Sequence, residues 1–251
     1  MRIAVLGATG MVGSAIVTEA LGRSHHVTAA SRKADPRLER ENLVVRAIDI
    51  GDVSQVTAVL SNVDAAVLAV RLEAGHEYGI ASLTQRVLDA AAAAHTRVLI
   101  VGGSAPLRSP QDPGRLVIEE PEYVPEAWQP IARASLSQLV TCTSHLLAHW
   151  VYLSPPAVLE RGERTGRYRR GTTTLLTDAN GQSRISASDL AIAVIDELEH
   201  PGDQQHFTVC AGTNESRSGD RLSPDRSGLD AHDATYEPGD ITADPSIERT
   251  P

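Results

Sequence analysis

Met1-Arg-Ile-Ala-Val-Leu-Gly7-Ala-Thr-Gly10-Met-Val-Gly13 opens the chain and decides its predicted fold. The stretch from Arg2 to Leu6 is a nearly continuous apolar run, as expected of a strand in a parallel sheet with both faces covered. From Ser14 to Leu21, apolar residues recur at helical spacing. A buried strand, a glycine-rich turn and a helix, in that order, are typical of a dinucleotide phosphate site.

Each glycine of the turn has a distinct predicted role. Gly7 allows the tight turn out of the strand, Gly10 lets the backbone approach a pyrophosphate, and Gly13 lets the helix pack closely. The amides at the helix N-terminus then face the phosphates. The alternative is a sharp turn that binds nothing. The predicted phosphate-binding residues are Gly7, Thr9, Gly10, Met11, Val12 and Gly13.

Apolar strands and helical patterns alternate along the rest of the chain. The further strands are predicted at 27–31, 43–50, 65–70, 97–101, 150–153 and 207–210, and the further helices at 53–60, 80–94, 131–147 and from Ser186, its expected N-cap, to Glu199. This alternation predicts an α/β fold, a Rossmann-like doubly wound parallel sheet in a single domain. The Pro-, Gly- and Thr-rich segment 155–184 predicts small substrate-side loops and a hairpin, and the last strand is expected at the sheet edge.

The last forty residues differ in composition from the rest. Residues 1–211 form the predicted NAD(P)-binding domain, whereas 212–251 hold nine acidic and four basic side chains and few large apolar residues. Such a composition predicts a disordered acidic tail.

Composition and charge exclude several classes of partner. The 251 residues carry a net charge of −9, which disfavours binding to nucleic acid or to an anionic membrane surface. The chain opens directly into a core strand, and no apolar stretch reaches the roughly 18 residues of a membrane span. A cytoplasmic monomer or homodimer is therefore expected. Cys142 and Cys210 are too few and too isolated for a disulfide framework or a metal site, so no metal is predicted.

The end of the second strand predicts the cofactor. NAD-preferring sites place an acidic residue there to bind the ribose hydroxyls, whereas this chain has Ser31, Arg32 and Lys33. A hydroxyl and two cations suit the 2′-phosphate of NADP, which makes NAD the less favoured cofactor. The alternative is a solvated turn. Asp49 and Ile50, at the end of the third strand, are predicted to bracket the adenine, and Asp52 to cap the next helix.

The carboxyl ends of the later strands should line the nicotinamide crevice, because ligands of open α/β sheets bind there. Ser104 follows one of these ends and is the candidate catalytic residue: it either orients a substrate carbonyl or caps its loop. The predicted crevice residues are Ala69, Val70, Gly102, Gly103, Ser154, Pro155 and Pro156.

Taken together, these motifs resemble the short-chain dehydrogenase/reductase superfamily. Within it, the chain is most similar to the atypical NmrA-like group with its NAD(P)H-binding flavin and biliverdin-IXβ reductases. The resemblance covers about residues 1–211 and implies that Ser104 matches the substrate-side serine of those reductases. The motifs that carry it are Gly7-Ala-Thr-Gly10-Met-Val-Gly13, Gly102-Gly103-Ser104-Ala105, Leu153-Ser154-Pro155-Pro156, Thr165-Gly166-Arg167-Tyr168 and Ser183-Arg184-Ile185-Ser186-Ala-Ser-Asp189-Leu190.

The chain also departs from that superfamily. Its usual Tyr-x-x-x-Lys proton-transfer pair cannot exist, because Lys33 is the single lysine and Ala29 stands four residues before it. The histidine that follows Pro-Pro in the flavin and biliverdin reductases is replaced by Ala157. Hydride transfer to a flavin or quinone-like small-molecule acceptor fits best, since the reduced ring can take protons from water. The alternatives are a non-catalytic, NADP-binding redox-sensing regulator and, less favoured, an epimerase of nucleotide sugars.

Overall fold

The computed structural model describes residues 1–33, 35–178 and 180–212, in which ten strands and five α-helices are found. The strands are β1 (Arg2–Leu6), β2 (His26–Ser31), β3 (Leu43–Ala47), β4 (Ala65–Leu68), β5 (Arg97–Val101), β6 (Trp150–Ser154), β7 (Val158–Glu160), β8 (Tyr168–Gly171), β9 (Arg184–Ser186) and β10 (His206–Ala211). The helices are α1 (Met11–Gly22), α2 (Val53–Leu60), α3 (Gly79–Ala94), α4 (Gln129–Ser144) and α5 (Ala187–Glu199).

Eight strands form the central sheet, in the order β3-β2-β1-β4-β5-β6-β10-β8. All neighbours in it run parallel except β10 and β8, which are antiparallel. The first six positions have the strand order of a dinucleotide-binding sheet. In such a sheet β1 and β4 are parallel neighbours, and later strands are added on the opposite side of β1 from β2 and β3. The predicted doubly wound α/β fold is confirmed.

Helices cover both faces of the sheet, which explains why the central strands β1, β4 and β5 are apolar at every position after the first. In β1, Ile3 and Val5 pack into the layer that holds α1 and α5, while Ala4 and Leu6 pack into the layer of α2, α3 and α4. A strand buried on both faces cannot alternate polar with apolar residues. Because the helices cover both faces, the carboxyl ends of the strands are the part of the sheet that is available to a ligand.

Two helix starts carry the side-chain caps expected from the sequence. The Asp52 carboxylate accepts hydrogen bonds from the amides of Ser54 and Gln55 at the start of α2. At the start of α5, the Ser186 hydroxyl accepts one from the amide of Asp189. Each cap satisfies amides that have no partner within the helix.

The C-terminal part of the sheet corrects two predictions. The last strand is not at the edge: β10 lies between β6 and β8, and β8 forms the edge. The predicted hairpin within 155–184 is also wrong, because β7 pairs in parallel with β9 and β8 pairs with β10. Both errors concern pairings between distant segments, for which local patterns carry no signal.

Predicted ends of other elements shift by a few residues. The third strand ends at Ala47 rather than Ile50, and α4 ends at Ser144 rather than Leu147. The predicted tail, 212–251, lies outside the described residues apart from Gly212. Within the described part of the chain, no helix is long and apolar enough to cross a membrane.

Candidate functional site: a cleft across the strand ends

The glycine turn between β1 and α1 is held tightly against its neighbours. Gly7 has φ +93°, and a Cβ there would lie 2.4 Å from the carbonyl oxygen of Ala69. A Cβ at Gly13 would lie 2.2 Å from the carbonyl oxygen of Gly7, so α1 packs directly on the turn. At Gly10 the nearest atom would be 3.4 Å away, an ordinary van der Waals contact, and Gly10 lines a cavity. Two glycines therefore serve the fold, and the third leaves room for a ligand.

The start of α1 differs from the capped helix starts. Gly10 is its N-cap and offers no side-chain hydrogen bond, and its first turn contains no acidic residue. The amide of Gly10 itself is used, donating to the carbonyl of Gly7 at 3.0 Å. A helix start without a cap presents backbone donors and a positive dipole end to an anion. This end of α1 fits a phosphate group.

A first cavity of about 530 Å³ opens in front of this turn, beyond the ends of β1, β2 and β4. It contains most of the residues predicted for the adenosine and pyrophosphate. Its lining is Gly7, Thr9, Gly10, Ser31, Arg32, Asp49, Ile50, Ala69, Val70, Arg71, Leu72, Glu73, His76 and Leu83.

Arg32 is the cation that lines this cavity on the β2 side, and it has a partner. Its Nη2 lies 3.3 Å from Glu73 Oε1, with the two side chains 80% and 75% exposed. The Ser31 side chain is buried, and its hydroxyl donates to the Lys33 carbonyl oxygen at 2.9 Å. The Lys33 side chain is exposed and does not belong to the lining. The structure thus brings Ser31 and Arg32 to the cavity and leaves Lys33 outside it.

Asp49 stands at the far end of the same cavity. Its carboxylate already accepts a hydrogen bond of 2.8 Å from the amide of Gly51, and its own amide donates to Gln55 Oε1 at 3.1 Å. These bonds fix the position of Asp49 in the cavity lining, next to Ile50, as the adenine prediction requires. The Gly51 amide uses Oδ1 of the carboxylate and not Oδ2.

A second cavity of about 380 Å³ continues the cleft toward β5 and β6. Both cavities share Gly10, Ala69, Val70, Arg71 and Leu72, so they form one continuous groove. The remaining lining residues are Met11, Val12, Glu77, Ile80, Val101, Gly102, Gly103, Ile131, Ala134, Ser135, Gln138, Pro155, Leu159 and Arg161.

The two glycines after β5 make room for protein atoms. A Cβ at Gly102 would lie 1.9 Å from the Tyr152 hydroxyl oxygen, and one at Gly103 would lie 2.3 Å from Ser135 Oγ. We expected both glycines to admit a ligand backbone contact. Both glycines line the floor of the second cavity, and the close neighbours that leave no room for a Cβ behind them are a buried phenol and a side chain of α4.

A buried hydrogen-bond chain lies behind that floor. The Tyr152 hydroxyl is 3.2 Å from both the Ser135 carbonyl oxygen and Gln138 Oε1, and Gln138 Nε2 donates to Thr84 Oγ1 at 3.0 Å. Gln138 and Tyr152 are 3% and 0% exposed, and burial raises the pKa of the Tyr152 phenol. The phenol therefore stays protonated and joins β6 to α4.

Few ionisable groups line the second cavity among the described residues: Arg71, Glu77 and Arg161. Hydrogen bonds from its own amide and from the amide of Gly75 lower the pKa of the Glu77 carboxyl. Glu77 is then ionised near neutral pH, and the other two ionisable groups are guanidinium groups. No group in this lining is suited to donate a proton to a substrate near pH 7.

Three residues predicted for this end lie elsewhere. Ser104, Ser154 and Pro156 are buried and belong to neither lining. The Ser154 hydroxyl instead lies 2.9 Å from His206 Nε2. The loop from Ser104 to Trp128 contributes no residue to either cavity, whereas α4 supplies Ile131, Ala134, Ser135 and Gln138 to the second.

Sequence reasoning missed two groups of lining residues. The segment after β4 supplies Leu72, Glu73, His76 and Glu77, and their position shortly after a predicted strand end is a signal that could have found them. The other group comes from α4, including Ser135 and Gln138. Small polar residues on an amphipathic helix carry no such signal.

Comparisons with known proteins agree with this geometry. A family model described as NAD(P)H-binding matches residues 7–201. The uncharacterized protein YwnB of Bacillus subtilis (strain 168) is 34% identical over 213 residues, which cover 83% of this chain and 98% of YwnB.

Two similar crystal structures bear different names. One, named a putative epimerase, from Bacteroides thetaiotaomicron, is 34% identical with a TM-score of 0.75, covering 86% of this chain and 99% of its own. The other, a putative NADH-flavin reductase from Streptococcus pneumoniae TIGR4, is 26% identical with a TM-score of 0.72, covering 84% and 100%. Since the family model spans most of the chain, the protein belongs to the NAD(P)H-binding family, as its resemblance to the atypical short-chain dehydrogenase/reductases predicted.

Proposed function

We propose that the protein is an NADPH-dependent oxidoreductase that transfers hydride to a flavin or quinone-like acceptor without a Tyr-x-x-x-Lys pair. The observation that carries this proposal is the second cavity, whose described lining holds no proton donor suited to neutral pH. Reduction of a simple carbonyl needs such a donor in the transition state. A delocalised ring accepts hydride without one.

The residues present fit a nicotinamide dinucleotide. The position of Gly10 in the cavity lining and the uncapped start of α1 suit the pyrophosphate, and Asp49 with Ile50 suits the adenine. Arg32 is the residue we assign to the 2′-phosphate, because a planar guanidinium can bind phosphate oxygens in pairs. The preference for NADPH over NADH rests on this one cation.

The chain has three tasks in the proposed reaction. The glycine turn and Arg32 bind the cofactor, while Ala69 and Val70, shared by both cavities, separate its two ends. Ile131, Ala134 and Pro155 give the second cavity an apolar wall on which a flat ring can pack and from which water is excluded. The bound nicotinamide would supply the hydride. Proximity of two aligned rings is then the main contribution of the protein.

The direct test is consumption of NADPH by the purified full-length chain. We expect absorbance at 340 nm to fall when FMN, riboflavin or a simple quinone is added under anaerobic conditions. A protein that binds NADPH but oxidises none with these acceptors would be the non-catalytic regulator, and the enzyme proposal would be lost.

A matched variant guards against contaminating reductases. Gly10→Val carries a side chain into the predicted phosphate position, yet its Cβ has space in the fold. The variant should match the wild type in circular dichroism and lack NADPH oxidation. Equal oxidation rates in the two preparations would assign the activity to a contaminant.

A further inference from the structure

Glu73 occupies a position that the proposed cofactor site does not explain. It belongs to the segment that follows β4 and crosses the front of both cavities, from Ala69 to Ile80. Among the described residues that line the first cavity, Arg32 and Glu73 form the one ion pair, at 3.3 Å. It joins the end of β2 on one wall to the segment after β4 on the other.

We propose that Glu73 is a specificity-determining residue that competes with a 2′-phosphate for Arg32 and so narrows the preference for NADPH over NADH. This inference rests on the proposed function, because it concerns the same cofactor site. In the structure, the Glu73 carboxylate pairs with Arg32, the one cation assigned to the phosphate. A phosphate that arrives must displace Glu73 from Arg32 or share the guanidinium with it.

The charges decide the direction of the effect. A 2′-phosphate beside Glu73 brings two anions together, whereas a 2′-hydroxyl has no charge and can donate a hydrogen bond to a carboxylate. Glu73 therefore disfavours NADPH and is neutral or favourable toward NADH. Arg32 and Glu73 together set the choice of cofactor. The preference for NADPH over NADH is therefore smaller than Arg32 alone would give.

The exposure of the pair limits its size. Both side chains are at least 75% exposed, and ion pairs of this kind contribute little because water and salt screen them. Removal of the carboxylate should therefore change the affinity for NADPH by about twofold to fivefold. The effect should shrink as the salt concentration rises.

The test compares dissociation constants for NADPH and NADH by calorimetry, using the full-length chain and the variants Glu73→Gln, Arg32→Ala and the double variant. Glu73→Gln should bind NADPH about twofold to fivefold more tightly, with NADH binding unchanged or weaker. In the Arg32→Ala background the same substitution should give little gain, because the contested cation is gone. An undiminished gain in that background would overturn the competition.

A control and two distinct failures complete the design. Glu39→Gln removes the same charge from an exposed pair with Arg46 that does not line the cleft, and it should leave the NADPH to NADH ratio unchanged. If Glu73→Gln also leaves the ratio unchanged while Arg32→Ala weakens NADPH binding, the role of Glu73 is refuted and the proposed function stands. If the wild type binds neither dinucleotide, the proposed function itself fails.

Discussion

The two halves of the cleft are built by different means. The first half is lined by residues between 7 and 83, from the turn between β1 and α1, the residues that follow β2 and β3, the segment after β4 and α3. The second half reaches much further along the chain, from Gly10 to Arg161, because β5, α4 and the residues after β6 add to the turn and to the segment after β4. The first half contains the uncapped start of α1 and Arg32, whereas the second has apolar walls from α4 and Pro155 and the ionised carboxylate of Glu77.

This difference separates binding from chemistry. Phosphate recognition needs backbone amides at a helix start, which a short glycine motif can provide. A reaction needs groups brought together from several elements, and here those elements bring no neutral-pH proton donor within the described lining. The cleft is thus more specific for a cofactor than for a particular acceptor.

The largest effects should come from the glycine turn. Gly10→Val should weaken both dinucleotides more than about 100-fold while the chain stays folded, because only the ligand space is filled. Gly13→Ala should instead destabilise the fold by about 1–3 kcal/mol or more, since its Cβ would lie 2.2 Å from the Gly7 carbonyl oxygen. Dissociation constants and thermal melts would distinguish the two. Normal NADPH binding by Gly10→Val would refute the phosphate site.

A smaller and more selective effect is expected at Arg32. Arg32→Ala should weaken NADPH binding about 10- to 100-fold, the contribution of charge-assisted hydrogen bonds, and NADH binding far less. Titration of both cofactors by fluorescence would measure the ratio. The matched control is Lys33→Ala, which removes a cation outside the lining and should cost much less. Equal losses for NADPH and NADH would remove the 2′-phosphate assignment.

Acid should weaken the fold near the second half of the cleft. Burial lowers the pKa of His206 to about 4, beside the Ser154 hydroxyl and the edge of the Tyr152 ring. The unfolded chain binds this proton near pH 6.5, so stability falls as pH decreases from about 6.5 to 4. His206→Gln should make this decline shallower, by about 2–4 °C in melting temperature at the acid end. Parallel curves of melting temperature against pH for the variant and the wild type would contradict this role of His206.

The smallest effect is expected at Tyr152. Since its hydroxyl is buried and bonded within the protein, Tyr152→Phe should change kcat less than about twofold and cost about 1 kcal/mol of stability. Its pH profile should superimpose on that of the wild type. A proton donor at this position would instead show a loss of about 100-fold or more, which would end the contrast between the two halves.

The predictions that agree with the structure are those that depend on residues adjacent in the sequence. The strand, turn and helix of residues 2–22, the caps at Asp52 and Ser186, and the placement of Ser31 and Arg32 all depend on neighbours within a few positions. Predictions that depended on partners far away in the sequence differ from the structure. Ser104 is buried outside the cleft, and β10 is an interior strand.

Gly102 shows why such positions are hard to predict. Its sequence context suggests contact with a ligand, yet the atom that would clash with a Cβ there is the hydroxyl of Tyr152, fifty residues away. Glycine marks a close approach of some group without saying which one. The identity of that group depends on how β5 and β6 pair.

By itself the sequence determined the α/β class, the glycine turn between the first strand and the first helix, and the absence of a Tyr-x-x-x-Lys pair, because these follow from local periodicity, backbone freedom and the presence of a single lysine. Tertiary structure alone decided that Glu73 faces Arg32, that α4 walls the second cavity, and that Tyr152 is hidden beneath it. Side chains far apart in the chain meet only when strand order and helix packing bring them together, and their contacts are therefore properties of the fold.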